Sequence, residues 1–168
     1  ICTIMGDIKY RMLQKVQSRI TSPKVARALF YPTLLWNVIT VGISRKLKWY
    51  NRIDGNVVLG ALPLRILTTS LIENENIGGV VTLNENYETK FLMFSSEEWK
   101  SLGISHLHLP TPDFNNVPDP AMLKEGVKFI KQFDNLDSSC YVHCKAGRGR
   151  SATLVACYLI EVCINVFL

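Results

Sequence analysis

The segment His143-Cys144-Lys145-Ala146-Gly147-Arg148-Gly149-Arg150-Ser151 combines side chains that can bind and transfer a phosphoryl group. An apolar strand-forming run precedes it and a helix-forming run follows it. A tight turn between a strand and a helix N-terminus directs backbone N–H groups and the positive end of the helix dipole at an anion. We therefore predict a phosphate-binding loop here, whose cradle comprises Lys145, Ala146, Gly147, Arg148 and Gly149.

Cys144 is the predicted nucleophile of this loop. A thiol among inward-facing N–H groups and beside a cation has its pKa lowered from about 8.5 into the range of roughly 3.5–7.5. Arg150 lies six residues later and can bind two phosphoryl oxygens through its planar guanidinium. The Ser151 hydroxyl can stabilise the thiolate that leaves a phosphocysteine intermediate. His143 is expected to orient the loop by hydrogen bonding rather than to act as a base.

The other residues of the loop have simpler predicted roles. Gly147 and Gly149 are expected to permit the backbone angles and the close approach that a phosphate cradle needs. Lys145 and Arg148 are expected to add positive potential at its rim. The pattern Cys-x5-Arg alone is weak, whereas His-Cys-x-x-Gly-x-x-Arg-Ser between a strand and a helix is specific.

A phosphoryl transfer also needs an acid for the leaving oxygen. Asp113 lies 31 residues before Cys144 in a Pro-flanked loop, and a carboxyl on a loop that can close is the usual proton donor. Asp119 is the alternative acid, and a third interpretation is that both residues only shape a turn.

The segment 85–88 follows another predicted strand. Glu85 or Glu88 could hold Arg150 in position, and Tyr87 could line the pocket. The alternative is a solvated acidic turn.

The elements that position these residues alternate along the chain. Apolar periodicity predicts strands at 56–59, 79–83, 104–109 and 140–142, and helices at 64–74, 95–102, 122–133 and 150–163. Alternating strands and helices predict an α/β fold, with a mostly parallel central sheet flanked by helices. A chain of 168 residues suffices for one such domain.

The N-terminal part has a different composition. From Ile8 to Ile53 there are ten Lys or Arg and no Asp or Glu, and residues 28–44 carry no charge. We predict that 1–48 is a basic, hydrophobic targeting or membrane-anchor segment and that 49–168 is the phosphatase-type domain. The run at 28–44 could span an anionic membrane, lie on its surface, or pack as a helix against the domain. No nucleic-acid motif accompanies the basic residues.

The cysteines indicate neither a disulfide framework nor a zinc site. Their number, five, is odd and no C-x-x-C occurs. Cys140, Cys157 and Cys163 are expected to be small buried hydrophobic residues. We expect no metal and no cofactor.

Several motifs resemble one family within the dual-specificity branch of the Cys-dependent protein tyrosine phosphatases. They are Leu29-Phe-Tyr-Pro-Thr-Leu-Leu35, Trp49-Tyr-Asn-Arg-Ile-Asp54, Leu59-Gly-Ala-Leu-Pro-Leu-Arg65, Asn84-Glu-Asn-Tyr-Glu-Thr89 and His143-Cys-Lys-Ala-Gly-Arg148. The chain is similar in these to the mitochondrial phosphatases of phosphatidylglycerophosphate. The resemblance implies a dual-specificity phosphatase-like fold, a phosphorylated lipid substrate, Asp113 as general acid, and the matrix side of the inner membrane in cardiolipin synthesis.

The chain departs from this family in two places. Asn86 stands where the family has an acidic residue, so no role is assigned to that position. The family also continues beyond about Glu161 with several helices, so we interpret the chain as C-terminally truncated. Two other functions stay open: a phosphotyrosine or dual-specificity protein phosphatase, and an inactive form that only binds phosphate.

Overall fold

A five-stranded sheet forms the centre of the fold. The computed structural model describes residues 23–44, 47–113, 117–134 and 136–166, so the basic segment before residue 23 lies outside them. The strand order is β1-β2-β5-β3-β4, and all neighbours are parallel except the antiparallel pair β1–β2. The strands are β1 (Tyr50–Arg52), β2 (Val57–Gly60), β3 (Ile77–Thr82), β4 (Ser105–His108) and β5 (Ser139–His143).

Helices cover both faces of this sheet. They are α1 (Pro23–Ile43), α2 (Arg65–Glu75), α3 (Asn86–Thr89), α4 (Ser96–Ser101), α5 (Pro120–Ile130, followed by a 3₁₀ turn at Lys131–Phe133) and α6 (Arg150–Val166). The termini of two helices explain where they begin. Ser95 and Glu98 form a reciprocal capping box at α4, and the Asp119 carboxylate accepts from the Ala121 N–H at α5.

Alternation along the strands divides the core into two layers. Cys140 and Val142 point to the α5 and α6 side, whereas Tyr141 points to the α1, α2 and α4 side. Val57 and Val58 separate in the same way on β2. Because both faces are covered, the central strands β2, β3 and β5 are almost entirely buried, as is usual in a parallel sheet.

The fold class predicted from the sequence is confirmed, and so are the predicted strands and helices within one to three residues at most ends. Two short elements were missed. β1 has three residues and α3 has four, which is too short for hydrophobic periodicity to reveal. The Cys140 side chain is buried as expected, but Cys163 is exposed because the last turns of α6 extend past the core.

The apolar run at 28–44 is part of α1, which packs against the domain through one stripe. Phe30, Leu34 and Asn37 are buried there. The opposite side exposes large apolar side chains, including 68% of Trp36 and 80% of Ile43. Among the helices of the described residues, α1 included, none has the length and apolarity needed to cross a membrane.

Candidate active site

The loop between β5 and α6 lies at the carboxyl edge of the sheet and is held there by its neighbours. The Leu83 N–H donates to the His143 carbonyl at 3.0 Å, and the Leu62 N–H donates to the Lys145 carbonyl at 3.3 Å. Gly147 has a φ of +72°, and a β carbon there would lie 2.7 Å from backbone atoms of Gly60. Glycine is therefore required at 147, both for its conformation and for its close contact with the end of β2.

Gly149 has different surroundings. Among the described residues, a β carbon at this position would meet no atom within 4 Å, and the backbone has no positive φ. The expected close approach of Gly149 to a bound phosphate stays a prediction. The Arg148 side chain next to it is exposed at the rim.

The Cys144 thiol lies at the base of the loop and only 4% of the residue is exposed. The Ser151 hydroxyl donates to its sulfur at 3.2 Å. Burial alone would raise the pKa of Cys144, but hydrogen bonds from the Ser151 side chain, from the backbone at Ser151 and Ala146, and the charge of Arg150 outweigh it. The net effect lowers the pKa of the thiol below its ordinary value, which favours the thiolate needed for attack on phosphorus.

Arg150 is fixed by a buried carboxylate and two carbonyl groups. Its guanidinium donates to both oxygens of Glu88, at 3.0 and 2.9 Å, and Glu88 is fully buried. It also donates to the carbonyl oxygens of Leu83 at 3.2 Å and Thr111 at 2.7 Å. Burial opposes the charge, yet these contacts with Glu88 raise the pKa of Arg150. The guanidinium is therefore charged and oriented beside the thiol.

The residue that holds Arg150 is Glu88, not Glu85. Asn84 donates a short hydrogen bond to Glu88 and so fixes this carboxylate in turn. Glu85 caps the start of α3 without a side-chain hydrogen bond, and Asn86 is exposed. The Tyr87 hydroxyl is buried and has no hydrogen-bond partner among the described residues. Burial and nearby carboxylates raise its pKa.

Asp113 lies over the loop, within reach of its cations. Its carboxylate forms a short ion pair with the Lys145 ammonium and lies 3.3 Å from the Arg150 guanidinium. Asp119, the alternative acid, is exposed and used as the cap of α5. The structure therefore brings Asp113, and not Asp119, to Lys145 and Arg150 of the loop.

His143 is a buried, hydrogen-bonded ring. Its Nε2 lies 2.8 Å from the Thr82 hydroxyl, which lies 2.9 Å from Nε2 of His106. Burial is the main cause, and the neighbouring His106 the second, that lowers the pKa of His143 to about 3. A neutral ring of such low basicity suits a positioning role. Within the described ranges, no group of three or more His, Cys, Asp or Glu side chains could hold a metal ion.

Comparisons with known proteins agree with this geometry. Residues 67–163 match the family model described as "Polymorphic toxin system, DSP-PTPase phosphatase". The human protein named phosphatidylglycerophosphatase and protein-tyrosine phosphatase 1 is 51% identical over 140 residues, which are 82% of this chain and 70% of the human one. The chain belongs to the phosphatidylglycerophosphatase family of Cys-dependent phosphatases.

Other members of the family support the same assignment. The phosphatidylglycerophosphate phosphatase PTPMT2 of Arabidopsis thaliana is 41% identical over 135 residues, which are 80% of this chain and 58% of the plant one. The crystal structure of PTPMT1 in complex with PI(5)P superposes with a TM-score of 0.66 at 52% identity and covers 68% of this chain and 74% of that one. The resemblance stated from the sequence motifs is therefore confirmed at the level of family and fold.

Proposed function

We propose that this protein hydrolyses the phosphate monoester of a membrane lipid, phosphatidylglycerophosphate, through a phosphocysteine on Cys144. The observation that carries the proposal is the buried Cys144 thiol, whose pKa is lowered below the ordinary value within hydrogen-bonding distance of Ser151. A phosphate in the cradle would meet this thiolate and the oriented guanidinium of Arg150 together. The human and plant relatives are named for this lipid substrate.

The first chemical step forms the bond between sulfur and phosphorus. The Cys144 thiolate attacks phosphorus while the bond from phosphorus to the glycerol oxygen breaks. The leaving oxygen takes the carboxyl proton of Asp113 and departs as an alcohol. Arg150 stays paired with Glu88 and binds the equatorial phosphoryl oxygens. The negative charge of the transition state is therefore stabilised by a cation that is already in position.

The second step releases phosphate. A water molecule gives a proton to the Asp113 carboxylate as its oxygen bonds to phosphorus. The bond from phosphorus to sulfur breaks, and the thiolate leaves with the Ser151 hydroxyl directed at it. Asp113 then carries the proton for the next cycle, so atoms and charges balance over the two steps.

A membrane substrate is supported by the N-terminal part of the chain. The outward side of α1 exposes Leu35, Trp36, Ile39 and Ile43 next to the domain that holds the site. The excess of basic residues before Ile53 favours an anionic surface. The protein would then lie with α1 in the interface of an anionic membrane, and its lipid substrate would reach Cys144 from that side.

The cellular location belongs to the same proposal. The basic segment at 8–27 has the composition of a mitochondrial presequence, and we place the protein on the matrix side of the inner membrane. A reporter fused behind residues 1–50 should enter mitochondria and sediment with their membranes. A diffuse cytosolic reporter would contradict this location.

The decisive test measures phosphate release by the full chain. Wild-type protein is assayed on vesicles that contain phosphatidylglycerophosphate and on a phosphotyrosine peptide, beside Cys144→Ser as the matched variant. We expect turnover of the lipid, and none by Cys144→Ser, because a hydroxyl at this position is not ionised near neutral pH. Vanadate should still bind to Cys144→Ser, since the cradle is mostly backbone.

Each other outcome has a definite meaning. Faster hydrolysis of the peptide than of the lipid would favour the phosphotyrosine or dual-specificity function. Vanadate binding without turnover by wild-type protein would favour the inactive phosphate-binding form. Turnover by Cys144→Ser near the wild-type rate would contradict the phosphocysteine mechanism.

A further inference from the structure

Helix α1 reaches the active site with the face opposite to its exposed apolar side. The Arg27 guanidinium lies 5.0 Å from the centre of the Tyr87 ring, and the Phe30 ring meets Tyr87 edge-on at 6.0 Å. One turn further on, the Thr33 hydroxyl lies 3.1 Å from the Lys145 ammonium. These residues recur at intervals of three, so a single strip of α1 faces α3 and the phosphate loop.

The contact with Lys145 connects α1 to the residue that we assign as the acid. The Lys145 ammonium forms the short ion pair with Asp113, donates to Thr33 and lies 5.8 Å from the centre of the Phe30 ring. Lys145 has only 8% of its surface exposed. A buried lysine on a flexible stem needs fixed partners to keep its charge in one place.

Thr33 is suited to accept this hydrogen bond. Its hydroxyl proton is directed along its own helix, towards the carbonyl oxygens of Leu29 at 2.6 Å and Phe30 at 3.1 Å. The lone pairs of the oxygen are therefore left to face the Lys145 ammonium. Helix α1 thus orients the Thr33 hydroxyl, and this hydroxyl accepts from the Lys145 ammonium. The ammonium in turn binds the Asp113 carboxylate.

We propose that α1 is a structural part of the active site and that Thr33 is a positioning residue, which holds Asp113 over Cys144 through Lys145. The proposal rests on the assignment of Asp113 as the general acid. It gives α1 a second role besides targeting or membrane contact: through Thr33 and Lys145 the helix sets the position of the Asp113 carboxyl group, which can accept from the Lys145 ammonium both before and after it gives up its proton.

Thr33→Val tests this role, because valine keeps the shape of the side chain and removes its oxygen. Positioning of the acid matters most for an alkyl phosphate, whose leaving oxygen needs a proton, and little for an activated aryl phosphate. We expect the ratio of kcat on glycerol phosphate esters to kcat on p-nitrophenyl phosphate to fall by about 3- to 10-fold, as for the loss of one hydrogen bond of typical strength. Thr33→Ser should restore the ratio.

Thr40→Val is the matched control on the same helix. The Thr40 hydroxyl bonds back to the carbonyl oxygens of Trp36 and Asn37, at 2.9 and 3.1 Å, as Thr33 does to its own helix. Among the described residues, the Thr40 hydroxyl is hydrogen-bonded only within α1, so its replacement should leave the ratio unchanged. Equal losses on both substrates for Thr33→Val, or the same fall in the ratio for Thr40→Val, would overturn the proposal.

A double-mutant cycle tests the contact in two ways, by the kcat ratio and by stability. Thr33→Val should cause no further fall in the ratio when it is added to Lys145→Met. The same four proteins are compared by urea unfolding, where the midpoint shift of the double variant should differ from the sum of the single shifts. Additive midpoint shifts would refute the contact between Thr33 and Lys145, whether or not the wild-type protein is active. Failure of the wild-type protein to hydrolyse either substrate would instead contradict the proposed function.

Discussion

The buried ion pair between Glu88 and Arg150 allows one prediction to be worked out in numbers. Glu88→Gln keeps the size of the side chain but removes its charge. Glutamine can accept from only one of the two guanidinium nitrogen atoms that now lie 3.0 and 2.9 Å from the carboxylate oxygens. Its NH₂ group would then face the second guanidinium nitrogen, donor against donor, in a buried site.

The structure sets the size of the loss. Removal of one partner from a buried ion pair costs about 3–5 kcal/mol, since the other charge stays buried. Arg150 keeps the carbonyl oxygens of Leu83 and Thr111 and the carboxylate of Asp113 at 3.3 Å. We therefore expect the lower end, about 3 kcal/mol, which corresponds to a fall in Tm of about 6–12 °C for a chain of this size.

The assay is urea unfolding followed by circular dichroism, with turnover of an aryl phosphate measured in parallel. Glu85→Gln is the control, because it makes the same chemical change in the same turn without touching Arg150, and its effect should stay within about 0.5 kcal/mol. Addition of Arg150→Met to Glu88→Gln should recover stability but no activity, as the unpaired charge is then gone. Equal stability of Glu88→Gln and Glu85→Gln would refute the reasoning.

Three further predictions concern protons. The rate of Cys144 alkylation by iodoacetate should rise with pH, with a midpoint below the pKa of an ordinary thiol. Ser151→Ala should raise this midpoint, because one hydrogen bond to the thiolate is lost. A midpoint unchanged in Ser151→Ala would exclude this role of Ser151. Asp113→Asn should slow alkyl phosphates by about 10²–10⁴-fold and aryl phosphates much less, and should flatten the basic limb of the pH–rate profile; equal losses would mean a structural role. The pKa values of about 3 for His143 and about 4 for His106 lie below the ordinary 6.5, so the protein takes up protons when it unfolds below pH 6.5. The urea midpoint should therefore fall as the pH drops from 6.5 towards 4, and less steeply in His106→Gln. A midpoint that does not change with pH in this window would contradict the prediction.

The phosphate loop could be predicted from the sequence because its chemistry and its local structure lie in one continuous segment. Residues 143–151 carry the nucleophile, the cation and the hydroxyl, and the strand and helix on either side are long enough to be recognised. The parallel sheet follows from the alternation of such elements. Asp113 was predicted over Asp119 partly from its resemblance to the family, and its position over the loop fits that prediction.

Contacts between distant segments could not be predicted. The choice between Glu85 and Glu88 depends on which side of α3 faces the core, and four residues show no periodicity. The contact of Thr33 with Lys145 joins residues 112 positions apart, and nothing in the composition of α1 indicates it. The apolar run at 28–44 equally suits a membrane segment and a helix whose buried strip contains Phe30 and Leu34, so only the tertiary structure reveals the packing.

The hydroxyl of Thr82, placed between two imidazole rings, has a consequence for their tautomers. It carries a single proton, so it can donate to Nε2 of His143 or to Nε2 of His106, but not to both. At least one of the two neutral rings must therefore carry its own proton on Nε2. His106 also faces the Ser96 hydroxyl at 2.8 Å on the outer side of the sheet. The tautomers of the two rings are therefore coupled through Thr82: when His143 accepts the hydroxyl proton, His106 must donate from its Nε2 and accept from Ser96 at its Nδ1.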